Sequence, residues 1–168
     1  MKQFNMKYTI FKYSATVIIL LTIVLWHHHF SFAQSPDMSI QDLLRFRIES
    51  GGAPLKITVG TEPIHAAIVL PIFYESRVYQ SAWTNSQGFL PKAEALLNAI
   101  RRADREGLRP GDYHLEKIEA ILLELRQAPE LNKKTNLNQL VDLDLLLTDA
   151  FLIYGSHLNS GRTDPEQI

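Results

Sequence analysis

The sequence predicts a mainly α fold, an irregular bundle of about five helices with at most one short strand, and three observations lead to it. Apolar residues recur at helical spacing in four separate windows between Ile40 and Leu125. The window from Leu137 to Leu158 is apolar on more than one face, which predicts a long helix buried on most of its sides. Only the stretch Leu55-Lys56-Ile57-Thr58-Val59 alternates with the period of a strand.

The N-terminus precedes the fold. Lys2, Lys7 and Lys12 lead into an apolar run from Ala15 to Trp26, and Ser31-Phe32-Ala33 places small residues three and one before a cut. This is the layout of a secretory signal peptide over residues 1–33, with cleavage expected after Ala33 and a polar linker at 34–38. The run is shorter than the roughly 20 residues of a membrane-spanning helix, so membrane association is expected only through an uncleaved signal segment. His27, His28 and His29 leave with the signal and are not read as a metal tract. The expected location is the periplasm or cell envelope.

Removing residues 1–33 takes away three of the 17 basic side chains and none of the 18 acids, so the mature chain is acidic by four charges. A nucleic-acid partner needs a basic stripe and is therefore discounted. The count of zero cysteines leaves no disulfide framework and no thiol nucleophile. Residues 39–168 amount to one domain, which must hold itself together by its core.

Along the mature chain, Ser39 is the expected N-cap of a first helix carrying Ile40, Leu43, Leu44 and Ile48, with Asp42 completing a capping box and Ser50-Gly51-Gly52 ending it. The extended stretch 55–59 follows. Pro63 is read as the first residue of a helix that Pro71 kinks or breaks. Residues 81–88 form an ordered, turn-rich loop around a buried Trp83. Pro91 to Glu106 is a helix stopped by Gly107, and Asp112 caps the next, whose face is Leu115, Ile118, Ile121, Leu122 and Leu125 and which ends before Pro129. The short connection 107–111 predicts an antiparallel hairpin of these two helices. The polar members of the last helix, Asp144, Thr148 and Asp149, are expected to face a partner or to satisfy neighbouring helix ends.

Candidate chemistry is sparse. His65, His114 and His157 lie on three separate segments, and no two have the spacing of a metal-binding helix or finger, so no metal and no cofactor are expected. Ser156 and His157 are adjacent on a helix and point about 100 degrees apart, which argues against a serine triad with Asp149. Glu75 with Asp149 or Asp144 is the one carboxylate pairing that would suit sugar hydrolysis, but nothing in the sequence makes them converge.

Three strings carry a resemblance: PIFYESRVYQSAW at 71–83, ALLNAIRRADREGLRPGDYH at 95–114 and DLDLLLTDAFLIYGSHLNSGRTDP at 142–165. In this order they resemble the helical scaffold region of the large bacterial murein L,D-transpeptidases, in which a YkuD-type catalytic domain follows the scaffold. The resemblance implies work in peptidoglycan cross-linking, through an acyl-enzyme on a cysteine that this chain does not contain. No catalytic residue is carried over, and the chain is expected to be non-catalytic. The residues that carry the match are read as structural or interfacial. Tyr74, Arg77 and Trp83 are expected to pin the loop after the kinked helix to the bundle. Asp112, Tyr113 and His114 are read as a helix start. Asp149 and Arg162 are candidates for a pair or for contact with the catalytic domain, with a surface position the simpler reading of Arg162. The expected partners are that domain, in the same or an adjacent chain, and peptidoglycan. The alternative is a stand-alone binding module of the envelope.

Overall fold

The structure is a computed structural model that describes residues 38–52, 56–127 and 133–161, with side chains in the last stretch from 137 onward. The expected signal segment, Leu55, Pro129 and Arg162 lie outside the described residues. Among the described residues there are five α-helices and two short antiparallel strand pairs, so the fold is mainly α as the apolar spacing predicts.

Helix α1 (Ile40–Glu49) starts with the capping box that the sequence predicts: the Asp42 amide donates to Ser39 Oγ and the Ser39 amide donates to Asp42 Oδ2. Its buried side is Ile40, Leu44 and Ile48. Three buried aliphatic side chains supply roughly 5 to 8 kcal/mol of transfer free energy, against a few tenths for the exposed Arg45–Glu49 pair. Packing, not surface charge, therefore fixes this helix.

Strand β1 (Thr58–Val59) finds a partner the sequence reading missed: β2 (Glu62–Pro63) returns antiparallel to it, with Val59 opposite Glu62. Pro63 therefore sits in a strand and not at a helix start. Helix α2 (Val69–Glu75) begins six residues later, and Pro71 falls in its first turn. An amide there has no intrahelical acceptor, so Pro71 costs nothing and produces no kink. A second hairpin, β3 (Thr84–Asn85) with β4 (Gly88–Phe89), organises the turn-rich loop after Trp83. The expectation of at most one strand is corrected accordingly. Both pairs are two residues long, and such turns leave almost no periodic signal.

Helix α3 (Pro91–Ile100) ends earlier than its apolar spacing predicts and passes into a 3-10 segment, Ala103–Glu106, which Gly107 closes in the left-handed conformation. A second 3-10 turn, Pro110–Tyr113, leads into helix α4 (Leu115–Gln127). Asp112 lies inside that turn, three residues before α4, and pairs with Arg109, so the residue at the start of α4 is His114, whose carbonyl accepts the Ile118 amide. Helices α3 and α4 are tied to each other by the Arg101–Glu119 ion pair but lean chiefly on a common support instead of forming a closely packed hairpin.

That support is α5 (Lys133–Ser160), 28 residues and about 42 Å long. From Leu143 to Ala150 every residue is buried, because α1, α3, α4 and both hairpin regions pack around it. The main core gathers α5 with Leu44, Leu70, Leu97 and Ile118, and a smaller cluster of Ile100, Ala103, Tyr113, Ala150 and Tyr154 packs at its C-terminal part.

Candidate functional site

A helix buried all round must place its polar residues against donors or acceptors, and α5 does so on two stripes. Asp144 and Thr148 share one stripe, four residues apart, and Asp149, Ile153 and His157 form the other. Asp144 and Asp149 are separated by about 140° around the axis, so each reaches a different loop.

The Asp144 carboxylate is wholly buried, and among the described residues no cation forms an ion pair with it. Its Oδ1 accepts the Ala82 amide at 2.9 Å and the Tyr74 hydroxyl at 2.7 Å. Its Oδ2 accepts the Trp83 amide at 2.8 Å, the Thr84 amide at 2.8 Å and the Thr84 hydroxyl at 2.9 Å. Three successive amides thus form a nest for one anion, which substitutes for water around the charge. Burial, and then the Asp144 charge, holds the Tyr74 phenol well above its ordinary value of about 10, so it stays a donor. Since that proton goes to the carboxylate, the 2.7 Å contact between Tyr74 and Thr148 has Thr148 donating. Thr148 in turn accepts the Trp83 indole N–H at 2.9 Å. Donors run in one direction, from Trp83 through Thr148 and Tyr74 to Asp144, an arrangement in which each bond polarises the next.

Asp149 is the second peg. It accepts the His65 amide at 3.0 Å, the Ala66 amide at 2.6 Å and His114 Nε2 at 2.7 Å. The other ring nitrogen of His114 faces Glu62 Oε2 at 3.4 Å, and the His65 ring stacks on the imidazole at 5.4 Å between centroids. His114 adopts a left-handed backbone conformation, φ 58°, which histidine tolerates better than most residues. Burial pushes its pKa down, but the hydrogen bond and charge of Asp149, with Glu62 adding to both, outweigh this and leave the pKa above its ordinary 6.5.

Beyond this peg lies an open groove of about 390 Å³ lined by His65, Ala66, Asp112, Ile153 and His157. Tyr113, buried beneath it, meets His157 Nδ1 through its hydroxyl at 3.0 Å and packs edge-on against Tyr154. The three histidines that are scattered in the sequence therefore share one region. Among the described residues no group of three or more histidine, aspartate or glutamate side chains is arranged to hold a metal. Ser156 is exposed and His157 is engaged by Tyr113, so no serine-histidine pair forms. Glu75 is exposed on α2 and Asp149 is buried, and neither lines the groove.

The residues singled out in the sequence fall into three places. Tyr74 and Trp83 meet at Asp144, whereas Arg77 ties the following turn by donating to the carbonyls of Gln80 and Ser81 at 3.3 Å each. Asp112 lines the groove, Tyr113 meets its lining residue His157, and Asp149, bonded to His114, holds the His65 and Ala66 amides. Arg162 lies outside the described residues, and the bonds to Asp149 come from His65, Ala66 and His114. Sequence reasoning missed Glu62, Thr84 and the amides of residues 65–66 and 82–84. The one signal available was the presence of Asp144, Thr148 and Asp149 in an otherwise apolar helix, which demands partners without naming them.

Fold and site together define a helical unit in which buried carboxylates of one central helix fasten the surrounding loops. The chain belongs to the Scaffold domain family, whose profile matches residues 69–168. No curated protein and no solved structure matches it.

Proposed function

We propose that this unit is the non-catalytic scaffold part of an exported L,D-transpeptidase-like protein of peptidoglycan cross-linking, and that it holds a YkuD-type catalytic domain in the same or an adjacent chain. The observation that carries the reading is the way the three resembling strings interlock. Tyr74 and Trp83 of the first and His114 of the second all donate to Asp144 or Asp149 of the third. The polar groups of those strings are thus occupied in holding the unit together, as a support requires, and the sequence offers no cysteine for thiolate attack. Membership of the Scaffold domain family supports the same role. The exposure of Ile68, just before α2, and of Val69 and Ile72 on it supports a docking surface for that domain.

The test uses residues 34–168 purified alone. Circular dichroism is expected to show a helical protein, and incubation with tetrapeptide stems is expected to give no transfer product. A YkuD-type catalytic domain is expected to co-purify with it and to be lost on Ile72→Glu. Formation of cross-linked stems by the isolated unit sinks the reading.

The groove beside His65 and His157 favours a second reading, a stand-alone module that binds peptidoglycan or a protein in the envelope. Retention on isolated sacculi without any catalytic domain distinguishes it.

A further inference from the structure

We propose that His114 is a proton-controlled latch: with both ring nitrogens protonated it clamps the β1–β2 hairpin and the His65–Ala66 wall of the groove to α5, and loss of one proton releases the hairpin side. The inference rests on geometry and is independent of the transpeptidase reading.

The imidazole is 2 % exposed and stands between two carboxylates, with Asp149 at 2.7 Å from Nε2 and Glu62 at 3.4 Å from Nδ1. Only the imidazolium can donate to both. On deprotonation the strong, fully buried contact with Asp149 retains the remaining proton on Nε2. Nδ1 then presents a lone pair to the Glu62 carboxylate, and an attraction becomes a repulsion. Glu62 lies on β2, which leads through Ile64 directly into the His65 and Ala66 amides held by Asp149. The neutral state thus weakens the attachment of one groove wall at its start.

The charged and titratable groups around His114 agree with this assignment. Asp149 faces it from α5, Glu62 from β2 and the His65 ring from the loop before α2. On its own turn Asp112 is paired with Arg109, and Tyr113 is engaged with His157 from α5. Lys117 of α4 reaches toward Gly60 in the β1–β2 turn. Among the described residues the two carboxylates are the groups in contact with the ring nitrogens, and they raise its pKa against the opposing effect of burial.

The sign follows from linkage. A histidine whose folded pKa lies above its unfolded value contributes stability that is complete below the ordinary 6.5 and disappears as pH rises through the folded value. The closing equilibrium changes by about tenfold for each unit of that elevation.

Nuclear magnetic resonance of the whole chain tests the latch by following the His114 imidazole together with amide-exchange protection factors of Ile64, His65 and Ala66 from about pH 5 to pH 9. The expected result is a His114 midpoint above 6.5 and a loss of protection at these three amides that tracks it. Glu62→Gln is expected to lower the midpoint and shrink the pH-dependent loss, and His114→Gln to abolish the pH dependence. A midpoint at or below 6.5, or protection unchanged across it, overturns the proposal. So does a Glu62→Gln chain that loses protection equally at every pH, because that outcome describes a merely structural side chain. Wild type and Glu62→Gln suffice for the decision even where His114→Gln does not fold.

Discussion

Trp83 and Asp144 are joined by a 2.8 Å hydrogen bond from the Trp83 amide to the Asp144 carboxylate, while the Trp83 indole N–H reaches Thr148 one helical turn further along. One residue is thus fixed at its backbone and at its tip by the same stripe of α5, and strand β3, which begins at the next residue, is carried with it.

Replacing Asp144 by Asn tests this anchor most directly. The substitution keeps the volume but removes the charge and turns part of the acceptor set into donors that face amides. Hydrogen bonds to a buried charge are worth about 1.5 to 3 kcal/mol each in mutational series, and several are affected here, so a loss of at least about 3 kcal/mol is expected in urea unfolding. A loss below about 1 kcal/mol would show that the nest does not anchor the loop.

The directed chain of donors predicts coupling between Tyr74 and Thr148. Tyr74→Phe and Thr148→Val each remove one hydroxyl and are expected to cost about 1 to 2 kcal/mol. In a double-mutant cycle the pair should depart from additivity by about 0.5 kcal/mol or more, since both act through Asp144. Trp83 fluorescence reports on the same network and should shift most in Thr148→Val, which leaves the indole N–H without its acceptor.

Asp142 offers the contrasting case. It meets Arg47 at 2.9 Å, yet burial raises its pKa and outweighs the attraction of Arg47. A carboxylate whose folded pKa exceeds its ordinary 3.8 carries a penalty that is absent at low pH, grows as pH rises past that ordinary value and is complete above the folded one. Asp142→Asn is therefore expected to change stability by less than about 1 kcal/mol, and the comparison with wild type should move in favour of the variant between about pH 3 and pH 7. A loss of about 3 kcal/mol at neutral pH contradicts this.

Two glycine substitutions should have opposite signs. Gly107 has φ 73° and closes the first 3-10 segment, so Gly107→Ala is expected to cost about 1 kcal/mol through backbone strain alone, there being no atom within 4 Å of the added methyl. Gly155 lies within α5 with equally open space, and Gly155→Ala is expected to add about 0.5 to 1 kcal/mol by its better helix propensity. Thermal unfolding of both variants, measured side by side, checks the pair.

Legibility in the sequence followed the range of the interactions. Ile40, Leu44 and Ile48 repeat at intervals set by the helix itself, and Ser39 with Asp42 satisfies donors three residues away, so α1 could be read directly. The passage from Pro63 to Pro71 was misread because proline marks a helix start and a strand edge equally well, and the β1–β2 turn that decides between them is only two residues wide on each side. Asp112 suits a cap for the same kind of reason, by its residue type, but the 3-10 turn ending at Tyr113 places the start of α4 three residues further on.

By itself the sequence determined the helical class, the long buried helix, the lack of a thiol and the need for buried partners at Asp144, Thr148 and Asp149, since all of these depend on periodicity, residue chemistry or simple counting. Only the tertiary structure decided which partners those residues take, that His65 and His157 line one groove, and that His114 stacks on His65. Those contacts join positions 35 to 84 residues apart, and nothing local in the chain encodes a distance that exists only after α5 has been enclosed by its neighbours.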